Sequence, residues 1–265
     1  MRYRRFFAEN LETFDAIIKS GSLDLLEGWS IVEEVSCALN LIESWYHHNS
    51  KKIPLEKVEA SIRKKDEKSF YVDTENMVFD CTHYEKNNWH ELFSIIQKKP
   101  LLMDWGLWVH RLSANADFLQ AWYADREYHH WAMEEDVDFY SRMGKSHAHL
   151  PKKDTGLPPP LNDPIIDISH NPGRRVIRGP YVEAVAAEMW LGQGFWELTG
   201  ADREAVKTCD FLKTEEQDYG VLNIKAGPRV FTSDEGEEAE IQNRMRRLLY
   251  PRSVDLPIDQ LVELS

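Results

Sequence analysis

The sequence predicts an α+β fold, small mixed sheets packed with helices, and three observations carry that reading. Helix-like and strand-like stretches follow one another without regular alternation. Hydrophobic residues make up 42% and aromatics 11% of the 265 residues, enough to build a core. One stretch, PKKDTGLPPPLNDP from Pro151 to Pro164, holds five prolines, each lacking a backbone donor and restricting the residue before it. It is expected to run extended as a connector. The chain then divides into an N-terminal α+β part (1–150), a proline-rich linker (151–164) and a C-terminal α+β part (165–265). A chain of this length suits one large domain or two modest ones.

The elements are expected in this order. Ser30 caps a helix from Ile31 to His47, with Ile31, Val35, Ala38, Leu39, Ile42, Trp45 and Tyr46 at three-and-four spacing. His47 and His48 would meet its free terminal carbonyls. Pro54 to Lys64 is a short, charged helix. Ser69 to Phe79 is a hairpin, its β-branched and aromatic residues surrounding a polar centre. Asn88 starts a helix through Gln97, and Pro100 to Leu112 is a buried strand. Asp117 opens the longest helical pattern, near 117–141, through Phe118, Trp122, His129, Met133, Val137 and Tyr140. Beyond the linker, Arg174 to Ile177 is a strand, and Pro180 occupies the first position of a helix to about Trp190. Gly192 and Gly194 interrupt that helix. Thr199 to Asp202 is a turn into a further short helix. Val221 to Ala226 and Arg229 to Thr232 are two strands joined by Gly227-Pro228. A last helix, from about Glu237 to Leu249, stops before Pro251.

Charge narrows the function. There are 45 acidic and 32 basic side chains, for a net charge of −13, and the pI is near 5.3. A phosphate backbone needs a basic surface, so nucleic acid is disfavoured, and an anionic membrane likewise. The basic clusters Arg2, Arg4, Arg5 and Arg244, Arg246, Arg247 are short and lie beside apolar residues. No window approaches the ~18 apolar residues that span a bilayer, and the N-terminus turns acidic before any signal-like run. Three scattered cysteines, Cys37, Cys81 and Cys209, make no disulfide framework, and Cys37 is expected as a buried helix residue. A soluble, cytoplasmic protein is expected. It has no phosphate-cradling glycine loop, nucleophile elbow or paired-cysteine metal motif, so catalysis, cofactor and metal are not expected. Acid excess with nine tryptophans suits capture of a basic macromolecule.

Two groups of side chains could carry chemistry. His129, His130, Glu134, Glu135 and Asp136 lie on the expected long helix, followed by His147 and His149. They read either as a solvated face and polar loop or as the metal site of a hydrolase, although the His pair at i and i+4 is absent. Trp105, Trp108, Trp122, Trp131, Trp190 and Trp196 read as core, with interface anchoring as the alternative. The sharpest surface feature runs from Asp234 through Glu235, Glu237 and Glu238 to Glu240, five carboxylates in seven residues. Acids in a first helical turn each contribute ~0.3–1 kcal/mol against the helix dipole. The surplus would steer a basic partner. Both readings stand. Glu134, Glu135, Asp136 and Asp138 form a second cluster of the same kind.

The succession Tyr219-Gly220-Val221-Leu222-Asn223-Ile224, then Phe231, an acidic loop, Ile241, Arg247, Leu248, Leu249 and Pro251 resembles immunity protein family 52 of polymorphic toxin systems, which includes type VI secretion antitoxins. In that family a glycine leads into a strand, a polar loop follows, and a helix ends in a leucine-rich stop. Phe118 to Tyr123 is similar to a second pattern, a helix ending in an aromatic pair. The resemblance covers Leu101 to Pro251 loosely and leaves residues 1–100 without a counterpart; the proline linker departs from it. It implies stoichiometric neutralisation of a cognate toxin, often a nuclease, by tight binding. A metal-dependent hydrolase and a non-inhibitory protein-binding adaptor are the alternatives.

Overall fold

The computed structural model describes residues 11–41, 45–48, 51–64, 69–83, 90–160, 162–227 and 229–262. Arg2, Arg4, Arg5, Asn88 and Pro228 lie outside them. The chain opens with strand β1 (Glu12–Lys19) and helix α1 (Leu25–Ala38), then the short strands β2 (Trp45–His48) and β3 (Lys51–Pro54) and helix α2 (Val58–Lys64). Three longer strands follow, β4 (Ser69–Asp73), β5 (Met77–His83) and β6 (His90–Gln97), then α3 (Trp105–Asn115) and β7 (Phe118–Asp125). Next come α4 (Arg126–Trp131), α5 (Val137–Arg142), β8 (Lys152–Lys153), β9 (Ile165–Ile166), β10 (Val176–Ile177), β11 (Val182–Glu183) and β12 (Glu188–Leu191). The chain continues through α6 (Gln193–Thr199), α7 (Arg203–Lys207), β13 (Lys213–Glu216), β14 (Leu222–Lys225) and α8 (Gly236–Leu249). This is an α+β fold, as expected.

Ten strands form one antiparallel sheet in the order β13-β14-β12-β7-β1-β6-β5-β4-β2-β3. β1 lies inside it and is buried on both faces, so its residues ETFDAIIK show no polar alternation. Phe14, Ala16 and Ile18 join Phe79, Phe93 and Ile95 on one face, covered by Trp29 and Val32 of α1 and Trp108 and Leu112 of α3. Ile17 points to the other face, where Trp122, Met189 and Ile224 pack under Phe195, Val206, Met245 and Leu249. The expected linker separates sequence, not sheet. β7, before it, pairs with β12, after it, and β8, at its start, pairs with β9, directly after it.

The hairpin at β4 and β5, the helix within Pro54 to Lys64, strand β14 and helix α8 stand where the sequence placed them. Other elements differ. The first helix begins at Leu25, because Asp24 accepts from the amides of Leu26 and Glu27 while Glu27 reaches back to the Asp24 amide, a complete capping box. It ends at Ala38, and Trp45 to His48 form a strand, so His47 and His48 cap nothing helical. Cys37 lies on α1 but is exposed. His90 to Gln97 is a strand, since β1 and β5 supply ladder partners on both sides. The run near Pro100 is a helix from Trp105, capped by Asp104, and Trp105, Trp108, Val109 and Leu112 make its buried stripe.

The expected long helix at 117–141 is a strand, β7, followed by two short helices. Phe118 and Trp122 are four apart, a helical spacing, but a bulge in β7 opposite Ile17 and Ile18 places them on opposite faces of the sheet. The alanine-rich stretch after Pro180 forms β11 and β12, because pairing in the sheet overrides its helical propensity. β14 pairs with β12 on one side and with β13, of residues KTEE, on the other, and Arg229 to Thr232 is not a strand.

Candidate functional site

A cleft of about 760 Å³ opens beside α4 and α5. Asp125, at the end of β7, caps α4 by accepting from the Tyr128 amide at 2.8 Å. This fixes the helix so that Glu127, Tyr128 and Trp131 line the cleft. Asp136 caps α5, which brings in Tyr140. The turn after α5 contributes Lys145 and His149, the chain around β9 contributes Ile166, Asp167 and Ile168, and the loop before α8 contributes Asp234. Tyr140, Ile166 and Ile168 form a small apolar cluster with Trp131, Met133, Val137 and Leu150, so the cleft floor is a core of its own.

One corner of the cleft is built for a cation. The Lys145 ammonium lies 4.9 Å from the centroid of the Trp131 ring and 2.7 Å from Glu127 Oε1. The same carboxylate oxygen accepts from the Trp131 indole at 3.3 Å, and the Trp131 and Tyr140 ring centroids are 4.7 Å apart. Burial, then the charges of Glu134 and Asp234, lift the Tyr140 hydroxyl to about 12. It donates to the Trp131 carbonyl at 3.2 Å. Burial raises the Asp125 carboxyl, against the hydrogen bonds of its cap. Asp167 is held below its ordinary range, chiefly by hydrogen bonding to Ser169. The Tyr128 hydroxyl donates to Gln242 Oε1 on α8 at 2.9 Å and ties the two sides together.

The run from Asp234 to Glu240 does begin α8. Glu238 has a structural task, accepting from the amides of Thr232 at 2.7 Å and Ser233 at 3.0 Å. Asp234, Glu235, Glu237 and Glu240 are exposed, and no cation of the described residues pairs with them. The second cluster is not on one long helix. Glu134 and Glu135 lie between α4 and α5, Asp136 is the cap, and Asp138 sits in the first turn of α5. Two of these four have cationic neighbours, Glu135 with Lys153 at 2.7 Å and Asp136 with Arg142 at 3.2 Å, while Glu134 lies 3.4 Å from His130, whose pKa burial lowers from the ordinary 6.5.

His147 bonds Ser141 Oγ at 3.2 Å and His149 lines the cleft, while His129 lies beside Arg175. Among the described residues no three His, Cys, Asp or Glu side chains are placed to hold a metal ion. The arginines of α8 form no basic patch: Arg246 is buried on Glu183 and Arg244 pairs with Asp210. Trp105, Trp108, Trp122 and Trp190 are core, as expected, whereas Trp131 and Trp196 are half-buried. Sequence reasoning missed Glu127, Lys145 and Asp167, which no local pattern unites; the four-residue spacing of Glu127 and Trp131 was the only available signal. No described helix is long and apolar enough to cross a membrane.

No protein-family model matches the chain, and no curated protein matches it. Among solved structures, the Pseudomonas aeruginosa T6SS protein PA0821 is similar at a TM-score of 0.51 and 13% sequence identity, over 92% of this chain and 74% of that one. At that identity, what the two chains share is the fold.

Proposed function

We propose that this chain is an immunity protein of a type VI secretion system, a non-catalytic binder that neutralises a basic toxin, such as a nuclease, in a stoichiometric complex. One observation carries the reading: Asp234, Glu235, Glu237 and Glu240 are exposed carboxylates without cationic partners among the described residues, and Asp234 lines the cleft. A nuclease presents a basic surface to its phosphate substrate, and an anionic surface on an inhibitor complements it. The strand–acidic loop–helix succession that resembles immunity protein family 52 is present as β14, the loop before α8, and α8. Similarity of fold to a T6SS protein agrees with that setting.

The test is co-expression with candidate toxins from neighbouring genes. Protection of the host and co-purification in a fixed ratio are expected. A toxin that remains lethal and does not co-purify would refute the reading.

A further inference from the structure

The cleft deepens this reading, on which the inference rests. Asp125, Glu127, Asp167 and Asp234 line it against a single lysine, Lys145, so it repels anions and attracts cations. Its volume of about 760 Å³ is far more than Lys145 fills, and lies within the range of ligand pockets. A metal ion is a poor occupant, since the described residues offer no cluster of three ligands. The floor is aromatic, and an aromatic face beside a carboxylate holds an organic cation by charge and by the ring quadrupole together. Lys145, about half exposed, already demonstrates that geometry from within the chain.

We propose that the cleft receives an arginine or lysine side chain from a basic segment of the partner protein, seated between the Trp131 ring and the Glu127 carboxylate, and that Lys145 holds this seat until the partner displaces it. Arginine fits best, because its planar guanidinium can stack on the indole while bonding the carboxylate. Asp234 and Asp167 then face the flanking residues of the same segment.

A tri-arginine peptide titrated calorimetrically into the full-length protein at low salt tests this. Glu127→Gln should weaken binding ~10-fold, the loss of one charged hydrogen bond. Asp234→Asn should weaken it severalfold. Lys145→Ala removes the competing cation and should tighten binding roughly threefold. Glu215→Gln, an exposed carboxylate on β13 away from the cleft, should leave it unchanged. Equal weakening by Glu127→Gln and Glu215→Gln would mean diffuse attraction and overturn the proposal. So would weaker binding by Lys145→Ala, or spermidine binding as tightly as the peptide. If the toxin co-purifies undiminished with Glu127→Gln, the cleft is not where the partner is held, while the immunity role stands. If the wild type captures no toxin but the peptide series behaves as expected, the cleft assignment survives and the immunity role falls.

Discussion

The most demanding chemistry at the residue scale lies in the core. Glu183 is fully buried, with Oε1 2.6 Å from Arg178 Nε and Oε2 3.2 Å from Arg246 Nη1, both guanidinium groups equally buried. Except for Arg246 Nε, which is buried without a partner among the described residues, the remaining donors go to carbonyls. Arg178 bonds those of Ser253, Leu256, Pro257 and Gln260, and Arg246 those of Pro172 and Arg174. A buried ion is tolerable only when paired and well bonded, and the bonds of Arg178 fasten residues 253–260 to the fold. Burial, then the neighbouring Arg246, lowers Arg174 to about 10. Glu183→Gln should cost about 3–5 kcal/mol in urea unfolding, since it leaves two buried guanidinium groups without their counter-charge. His129 adds a pH dependence. Its Nε2 is sealed without a partner among the described residues, although the residue as a whole is half-buried, and burial, then Arg175, holds the ring well below the ordinary 6.5. Below pH 6.5 the unfolded chain binds a proton that the folded chain refuses, so this residue lowers stability as pH falls and has no effect above 6.5. The slope should approach about 1.4 kcal/mol per pH unit, and His129→Phe should flatten the stability profile between pH 5 and pH 6.5 by about that amount.

At the scale of elements, caps and close approaches decide where structure begins. Asp24→Ala removes the capping box of α1 and should lower stability by about 1 kcal/mol, seen as a fall in melting temperature. Gly192 marks a different constraint. Its amide donates to the Leu119 carbonyl at 2.8 Å, and a Cβ placed there would meet the Phe118 carbonyl oxygen at 2.1 Å. The backbone leaving β12 therefore touches the start of β7, and only glycine fits. Gly192→Ala should cost about 1–3 kcal/mol, the range of an overpacked core. An unaltered denaturation midpoint would show that the two strand ends do not meet this closely.

At the scale of the molecule, charge and sheet continuity govern behaviour. Converting Asp234, Glu235, Glu237 and Glu240 to lysine moves the net charge from −13 to about −5, two charges per site. Stopped-flow association with the toxin should slow at least tenfold at low salt and lose much of its dependence on ionic strength, because steering is screened beyond a Debye length of about 8 Å in physiological salt. An association rate that ignores the substitutions would separate capture from this end of α8. The shared sheet makes the two parts of the chain interdependent. With β7 held between β1 and β12, unfolding followed by tryptophan fluorescence and by circular dichroism should give coincident transitions.

The sequence by itself determined what rests on neighbours along the chain. The β4–β5 hairpin, the last helix with its acidic start, and the α+β class were legible in local alternation, three-and-four spacing and the stop at Pro251. Strand against helix at β6, β7 and β12 was decided by the tertiary structure, because residues buried on two faces lose the alternation that distinguishes the periods, and their ladder partners are distant in sequence. The cleft has the same origin. Glu127, Lys145, Asp167 and Asp234 are separated by up to 107 residues, and only the packing of α4, α5 and the loop before α8 brings them around one aromatic floor.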